Sequence, residues 1–327
     1  MKLQHRARPR MLAALDRALS AGGATALDPS VPVAVWRHAL VGPATEFLAR
    51  PGKALRTTIV TAGWLLGGGA KDAMPEQLPL VIEILHAGSL IVDDVEDGSD
   101  ERRGAPTLHR LVGVPLAINT GSWMYFWALA ELEKLELPPA IELAAHRAAA
   151  TTLVRCRQGQ ALDLATRIGD LAIADVPAVV AATTRLKTGA LCRFAAELGA
   201  LAAGGTHREA IATFGEAMGI GLQMLDDLGS LTCAARRDKG REDLRERRPT
   251  WPWAWLAEHP DAFAQVAAIE DIDRTAEGLV AHVGEHGRTR IRSALDAALD
   301  ALAHEVGPCA VIDMIATDVL RMENSYG

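Results

Sequence analysis

The strongest chemical signal in the sequence is the acidic run 93–97, Asp-Asp-Val-Glu-Asp, which directly follows the apolar segment 78–92. Asp93 and Asp97 are one helical turn apart and share a helix face, with Asp94 beside them. Carboxylates this close repel one another, and partial burial is costly unless a cation compensates. Mg²⁺ suits this role, because it prefers carboxylate oxygens and shares its coordination sphere with water and phosphate oxygens. Taken alone, the run is also compatible with a solvated acidic helix end.

Basic residues on both sides of the acidic run point to a phosphate-containing ligand. Arg102 and Arg103 follow it closely, and Lys53 and Arg56 form an earlier basic pair beside a glycine. Arginine presents a planar fork of donors that matches phosphate oxygens, while metal ions bridge the remaining oxygens. Each feature is weak alone, but together they favour a polyphosphate site.

A second acidic pair, Asp226-Asp227, ends another mostly apolar segment, with Gln223 one helical turn before it. Lys239 and Arg248 follow downstream. Two carboxylate clusters on two helices can face each other across a bundle. The pair could therefore hold metal ions around the same diphosphate as the first run.

The elements that must position these residues are predicted to be helices. Strand-like alternation is scarce, no low-complexity linker divides the chain, and no internal repeat is evident. We therefore predict an all-α fold, one large helical bundle that forms a single domain over residues 1–327. Apolar residues recur at helical spacing in the segments 11–20, 79–97, 115–135, 140–168, 176–201, 207–230, 261–285 and 288–304.

Composition narrows the class of protein further. The chain of 327 residues is 49% hydrophobic and 23% charged, as expected of a globular protein rather than a disordered or collagen-like one. Its four cysteines contain no CxxC pair, which excludes a disulfide scaffold and predicts a cytoplasmic location. A net charge of −7 gives no sign of nucleic-acid binding. The most apolar segment is too short to span a bilayer, so no stable membrane insertion is expected.

The ordered set of motifs resembles the trans-isoprenyl diphosphate synthases, the family of the farnesyl and geranylgeranyl diphosphate synthases. The resemblance extends from about Gly52 to Pro252 and is most specific over 85–109. The matching motifs are Gly52-Lys53 with Arg56, Asp93-Asp94 with Asp97, Gly159-Gln160 with Asp163, Lys187-Thr188-Gly189, Gln223, and Asp226-Asp227.

The resemblance implies a Mg²⁺-dependent, head-to-tail condensation of an allylic diphosphate with isopentenyl diphosphate. It also implies an all-helical bundle around a deep apolar cavity, which assembles as a homodimer. The implied metal ligands are Asp93, Asp97, Asp226 and Asp227, with Asp94 in the same catalytic motif. The allylic diphosphate and its cation are assigned to Arg102, Lys187, Thr188, Gln223, Lys239 and Arg248. The isopentenyl diphosphate is assigned to Lys53, Arg56, His86 and Arg103.

The second acidic motif departs from the family pattern, because Ser230 stands where its last aspartate is usual. That departure leaves two alternatives open. One is a class I terpene cyclase, or a prenyltransferase with another acceptor. The other is a non-catalytic subunit that regulates a partner synthase. The residues assigned to isopentenyl diphosphate favour chain elongation, and the intact first motif argues against a regulatory subunit.

Product length is predicted from the residues five and four positions before the first motif, Gly88 and Ser89. The resemblance implies that small residues there leave the cavity open, which predicts geranylgeranyl diphosphate as the product. Leu85 lies one turn further down the same helix, and the floor of the cavity is assigned to Trp123 or Trp127.

Overall fold

The computed structural model describes residues 4–20, 25–51, 55–205, 207–233 and 237–324, without the side chains of 4–8, 237–239, 322 and 324. The helices in these ranges are α1 Gln4–Ser20, α2 Val33–Trp36, α3 Gly42–Leu48, α4 Leu55–Leu66, α5 Gln77–Glu96, α6 Leu108–Val112, α7 Val114–Glu133, α8 Pro139–Ala165, α9 Val176–Thr184, α10 Ala190–Ala202, α11 Arg208–Thr232, α12 Arg237–Arg245, α13 Trp251–Leu256, α14 Pro260–Ala267, α15 Ile272–Val306 and α16 Ala310–Asn324. Short 3₁₀ turns span Lys71–Ala73 and Ile173–Asp175, and π-helical turns span Arg37–Val41 and Arg185–Gly189.

The β-structure of the described residues is one short hairpin after α5, in which β1 Glu101–Arg102 pairs antiparallel with β2 Ala105–Pro106. The prediction of an all-α fold is therefore confirmed. No helix within the described ranges combines the length and apolar character needed to cross a bilayer.

Helices α4, α5, α10 and α11 form the centre of the bundle. α5 packs against α7 and α4, α10 packs against α4, α11 and α8, and α11 packs against α15. α5 carries apolar residues on nearly every face, including Leu78, Ile82 and Ile91, all of which are fully buried. A helix that is apolar all round belongs in the interior of a large protein. Burial of α5 holds its acidic C-terminal end in place.

α4 and α10 approach so closely that their contact requires glycine. A Cβ atom on Gly63 would lie 2.2 Å from the carbonyl oxygen of Ala196, and one on Gly199 would lie 2.3 Å from that of Val60. Both obstacles are backbone atoms, which cannot move without displacing a helix. The two glycines therefore set the distance between these helices.

We expect Gly63→Ala to lower the free energy of unfolding by about 1–3 kcal/mol, the usual cost of overpacking a well-packed core. Gly284→Ala is the matched control, because its Cβ would meet only a valine methyl group, at 3.3 Å. The control should be neutral or slightly stabilising, since alanine favours a helix by about 1 kcal/mol over glycine. Denaturant unfolding of both variants measures the difference, and equal stabilities would contradict the close contact.

Candidate active site

The two acidic motifs line one cavity, with a volume of about 1370 Å³. Asp93 and Asp97 reach it from the end of α5, and Asp226 and Asp227 reach it from α11. Residues of α8, α12 and the β1–β2 hairpin complete its polar end. Motifs more than 120 residues apart in the sequence thus face the same space.

The carboxylates of the first motif point in two directions. Asp93 and Asp97 line the cavity, whereas the side chain of Asp94 is fully buried and accepts a hydrogen bond of 2.7 Å from Nε of Arg102. Arg102, which the sequence assigned to the allylic diphosphate, lines the cavity and forms this ion pair as well. Asp94 is thus in contact with Arg102 and holds the hairpin that follows α5.

Burial makes the charges of the first motif expensive. It raises the pKa of Asp93, and the neighbouring Asp97 raises this pKa further, although Lys187 opposes both effects. Burial likewise raises the pKa of Asp94, against the effect of Arg102. Charged carboxylates in such a site need cations close by.

Two basic side chains of the protein supply part of the positive charge that these carboxylates need. Nζ of Lys187 lies 3.3 Å from Oδ1 of Asp93 and 2.8 Å from Oδ2 of Asp163. Nη2 of Arg248 lies 2.9 Å from Oδ1 of Asp97, and its Nη1 lies 3.4 Å from Oδ2 of Asp163. Asp163 therefore joins both cations, a role that the sequence did not reveal, although Asp163 is part of a matching motif.

Lys187 owes its position to a π-helical turn, Arg185–Gly189, between α9 and α10. π-bulges inside helices are rare and occur often at functional sites. Gly159 of α8 makes room for this turn, because a Cβ there would lie 2.6 Å from the backbone nitrogen of Lys187. The next residue, Thr188, donates a hydrogen bond of 2.9 Å to Oε1 of Gln223 on α11.

Both carboxylates of the second motif line the cavity, and Asp227 also binds neighbouring groups of the protein. Asp227 accepts hydrogen bonds from Nε2 of Gln223, at 2.7 Å, and from the backbone nitrogen of Trp251, at 3.0 Å. Asp227 thereby links α11 to the start of α13. Ser230, at the site of the missing aspartate, is buried and donates a hydrogen bond of 2.8 Å to the backbone oxygen of Asp227.

A cluster of basic groups lies beside the acidic end of the cavity. Arg56, His86 and Arg103 line the cavity together with Glu83. Burial lowers the pKa of His86 well below its ordinary value, and the charges of Arg56 and Arg103 lower it further. Among the described residues, the buried Nε of Arg56 has no hydrogen-bond partner. Such a cluster can bind an anion.

Two predicted basic residues are not described at this site. Lys53 lies outside the described residues, and so does the side chain of Lys239, whose backbone belongs to α12.

The structure corrects the predicted wall of the apolar part of the cavity. Leu85 and Ser89 line it, together with Tyr125 of α7, which the sequence analysis missed. Gly88 instead packs against α7, since a Cβ on it would lie 2.7 Å from the carbonyl oxygen of Gly121. Gly88 therefore does not open onto the cavity.

The structure places the two tryptophans predicted as the floor, Trp123 and Trp127, beside each other on α7. Trp123 and Trp127 stack on each other, with ring centroids 5.2 Å apart, and Trp127 is fully buried and donates a hydrogen bond of 2.9 Å to Glu131. Among the described residues that line the cavity, neither tryptophan occurs. Tyr125 is the aromatic side chain of α7 at this wall, and burial raises its pKa to about 12.

Comparison with known proteins identifies the family of the chain. The family model for polyprenyl synthetase matches residues 37–283. A geranylgeranyl pyrophosphate synthase of Apiospora sacchari is 30% identical over 284 residues, which are 81% of this chain and 80% of that protein. Geranylgeranyl pyrophosphate synthase 2 of Zymoseptoria tritici is 31% identical over 227 residues, 67% of this chain and 65% of that protein.

The fold has close counterparts among solved structures. The crystal structure of geranylgeranyl pyrophosphate synthase from Corynebacterium glutamicum, complexed with isoprenyl diphosphate and magnesium, has a TM-score of 0.79 at 24% identity over 98% of both chains. Its helical fold is that of this chain. The polyprenyl synthetases are a class of trans-prenyltransferases, and this chain belongs to their family. The family resemblance inferred from the sequence is thereby confirmed.

The lowered pKa of His86 predicts how stability depends on pH. The unfolded chain takes up a proton at this histidine near pH 6.5, whereas the folded chain does so only at lower pH. Stability is therefore lost as the pH falls through 6.5. We expect wild type to lose more stability than His86→Gln between pH 7.5 and 5.5, because only the wild-type folded state resists protonation at this position. Denaturant unfolding measures this loss, the two proteins should show parallel stability above pH 7.5, and parallel curves down to pH 5.5 would refute the shift.

Proposed function

We propose that the protein is a Mg²⁺-dependent prenyltransferase that condenses an allylic diphosphate with isopentenyl diphosphate to give geranylgeranyl diphosphate. The main observation in support of this function is that one cavity holds paired carboxylates, a separate cationic cluster and an apolar wall. Family membership and the names of the relatives support the proposal. We further propose that residues 1–327 form a single helical domain.

The cavity carboxylates fit Mg²⁺ by their chemistry. Asp93 and Asp97 stand on one side and Asp226 on the other, and all three offer the oxygen ligands that this ion prefers. Within the described residues, no group of three such side chains could hold a metal ion alone. Mg²⁺ usually combines one or two carboxylates with water and substrate phosphate oxygens, so such a group is not required. When bound, the metal would neutralise charge on the departing diphosphate.

The residues around the metal ligands have complementary tasks in this proposal. Lys187 and Arg248, already in contact with the carboxylates, bind phosphate oxygens of the allylic substrate. Thr188 and Gln223 turn oxygen dipoles toward the allylic cation. The apolar wall excludes water that would otherwise react with that cation. The released diphosphate accepts the proton lost from the isopentenyl unit, so no side-chain base is required.

The cationic cluster favours chain elongation over the alternatives. Arg56 and Arg103, with neutral His86 under the influence of both charges, suit the diphosphate of a second substrate. A terpene cyclase has no use for such a second site. A purely regulatory subunit does not require buried carboxylates whose negative charge must be compensated, so their presence argues against that alternative.

We also propose a homodimer and a cytoplasmic location. Large apolar side chains are exposed on neighbouring helices: Val114, Ile118 and Phe126 on α7, and Leu143 and Val154 on α8. Exposed apolar side chains of this size are frequent in protein interfaces, and sedimentation velocity measures the assembly directly. The location is supported by the four cysteines, all of which are free.

The function is tested with Mg²⁺, isopentenyl diphosphate and a set of allylic diphosphates, with products identified by mass. We expect Asp93→Ala to reduce turnover about a hundredfold or more, because charge on the departing diphosphate is then poorly neutralised. Asp296→Ala is the matched control, an exposed aspartate on α15 paired with Arg292. Its activity should equal that of wild type.

Two results would decide against the proposal. Near-normal transfer by Asp93→Ala would remove the metal role of the first motif. A product formed from the allylic substrate alone, with no dependence on isopentenyl diphosphate, would favour the cyclase.

The corrected cavity wall predicts which residue controls product length. Each isoprene unit buries about five carbons, worth about 4 kcal/mol at about 0.8 kcal/mol per carbon, so an open cavity favours another addition. We expect Ser89→Phe to shorten the product to fifteen carbons and Tyr125→Ala to lengthen it. Gly88→Phe should instead lower the melting temperature, because its ring would meet the backbone of α7. Product sizing and thermal unfolding separate these outcomes, and unchanged product length in Ser89→Phe would contradict this wall.

A further inference from the structure

Arg50, a residue outside every motif of the sequence analysis, makes a set of buried contacts to the β1–β2 hairpin. Its side chain is 4% exposed. Nη1 donates a hydrogen bond of 3.1 Å to the backbone oxygen of Arg102, and Nη2 donates one of 2.6 Å to that of Pro106. One guanidinium group thus grips both strands of a hairpin more than fifty residues away in the sequence.

The guanidinium itself is held in a fixed orientation. Nε and Nη2 of Arg50 donate hydrogen bonds to Glu46, at 3.1 and 2.9 Å from Oε1. The guanidinium carbon lies 5.4 Å from the ring centre of Phe47, which is fully buried. Charge, hydrogen bonding and the aromatic ring together leave Arg50 little freedom.

The hairpin needs such support because its turn is strained. The two residues between the strands, Arg103 and Gly104, have φ angles of +58° and +77°. Positive φ at both central positions is the geometry of a type I′ turn, which normally takes asparagine, aspartate or glycine first. A residue other than glycine in this region costs roughly 1–2 kcal/mol. Surrounding contacts must therefore hold Arg103 in place.

The two hairpin arginines differ in how they are anchored. Arg102 has its own ion pair with Asp94. Arg103 has no hydrogen bond or ion pair from its side chain within the described residues; its guanidinium carbon lies 5.9 Å from the ring centre of Phe47. The position of Arg103 therefore depends on its backbone, which Arg50 holds from the preceding residue.

We propose that Arg50 is a positioning residue that fixes the strained turn and thereby places Arg103 in the cationic cluster. The inference rests on the proposed function, in which that cluster binds isopentenyl diphosphate. Arg50 acts through the turn and does not itself touch the substrate. Its loss should affect the second substrate more than the allylic one, since Arg102 keeps its own anchor.

We call the hydrogen bonds from Arg50 to the backbone oxygens of Arg102 and Pro106 the clamp. Limited digestion with trypsin tests the clamp without an activity measurement. Trypsin cleaves after arginine, and Arg50 grips the carbonyl of the peptide bond between Arg102 and Arg103. We expect Arg50→Met to be cut after Arg102 or Arg103 at least tenfold faster than wild type, with fragments identified by mass. Arg193→Met is the matched control, because Arg193 forms an equally close paired contact with Glu209 away from the hairpin. The control should leave the rate of this cleavage unchanged.

Steady-state kinetics test the consequence for the substrates. Arg50→Met should raise KM for isopentenyl diphosphate at least tenfold, with kcat and the allylic KM within about threefold of wild type. Arg50→Lys should behave like Arg50→Met, because lysine keeps the charge but cannot form the fork of contacts. Glu46→Gln, a milder change that leaves Arg50 in place, should shift cleavage and KM in the same direction by a smaller amount. This variant carries the test if Arg50→Met does not fold.

Three results would overturn the proposal. The clamp is wrong if trypsin cleaves the hairpin of Arg50→Met, or of Glu46→Gln where only that variant folds, at the wild-type rate. Full activity in Arg50→Lys beside a defect in Arg50→Met would show that only the charge matters. Faster cleavage with both KM values unchanged would show that the hairpin does not position a substrate-binding group. Faster cleavage in an enzyme that proves to use no isopentenyl diphosphate would refute the proposed function and leave the clamp intact.

Discussion

The arrangement of the site depends on the cost of keeping the carboxylate of Asp93 charged at the buried end of α5. Asp93 and Asp97 lie one helical turn apart, and burial disfavours the charge of Asp93. Lys187 and Arg248 compensate the negative charge, since each contacts one of these carboxylates and also Asp163. This network connects α5, α8, the π-helical turn and the segment before α13. The bundle must therefore bring those elements together before any ligand arrives.

The sequence could predict the groups that carry the chemistry, because their types and local spacing are themselves the signal. Paired aspartates at the ends of apolar segments require helices, and both pairs line the cavity. Residues whose role comes from distant contacts could not be found in this way. Arg50 binds carbonyl groups more than fifty residues away, and Asp163 acquires its role only when Lys187 and Arg248 converge on it.

The predicted cavity wall failed in part because the rotation of a buried helix is ambiguous from sequence. Gly88 and Ser89 are adjacent, yet they point about 100° apart around α5. Since that helix is apolar on nearly every side, its pattern does not indicate which neighbour faces α7. The answer lies in the partner helix, where Gly121 receives Gly88 at close range. Tyr125 reaches the cavity from that same helix, and aromatic content alone could not distinguish it from the stacked tryptophans.

The left-handed backbone of Arg103 places the turn under two opposing selective pressures. Glycine would adopt this conformation at Arg103 without strain. Selection for stability alone would therefore favour glycine and remove the arginine side chain. A cation at this position despite its conformational cost is what we expect if, as proposed, Arg103 binds substrate at the expense of stability. The second turn residue, Gly104, carries no such conflict, because its own positive φ needs only the absence of a side chain. Substitutions at these two neighbours should therefore be limited by different requirements. At Arg103 the requirement is a positively charged side chain, and at Gly104 it is a backbone with positive φ.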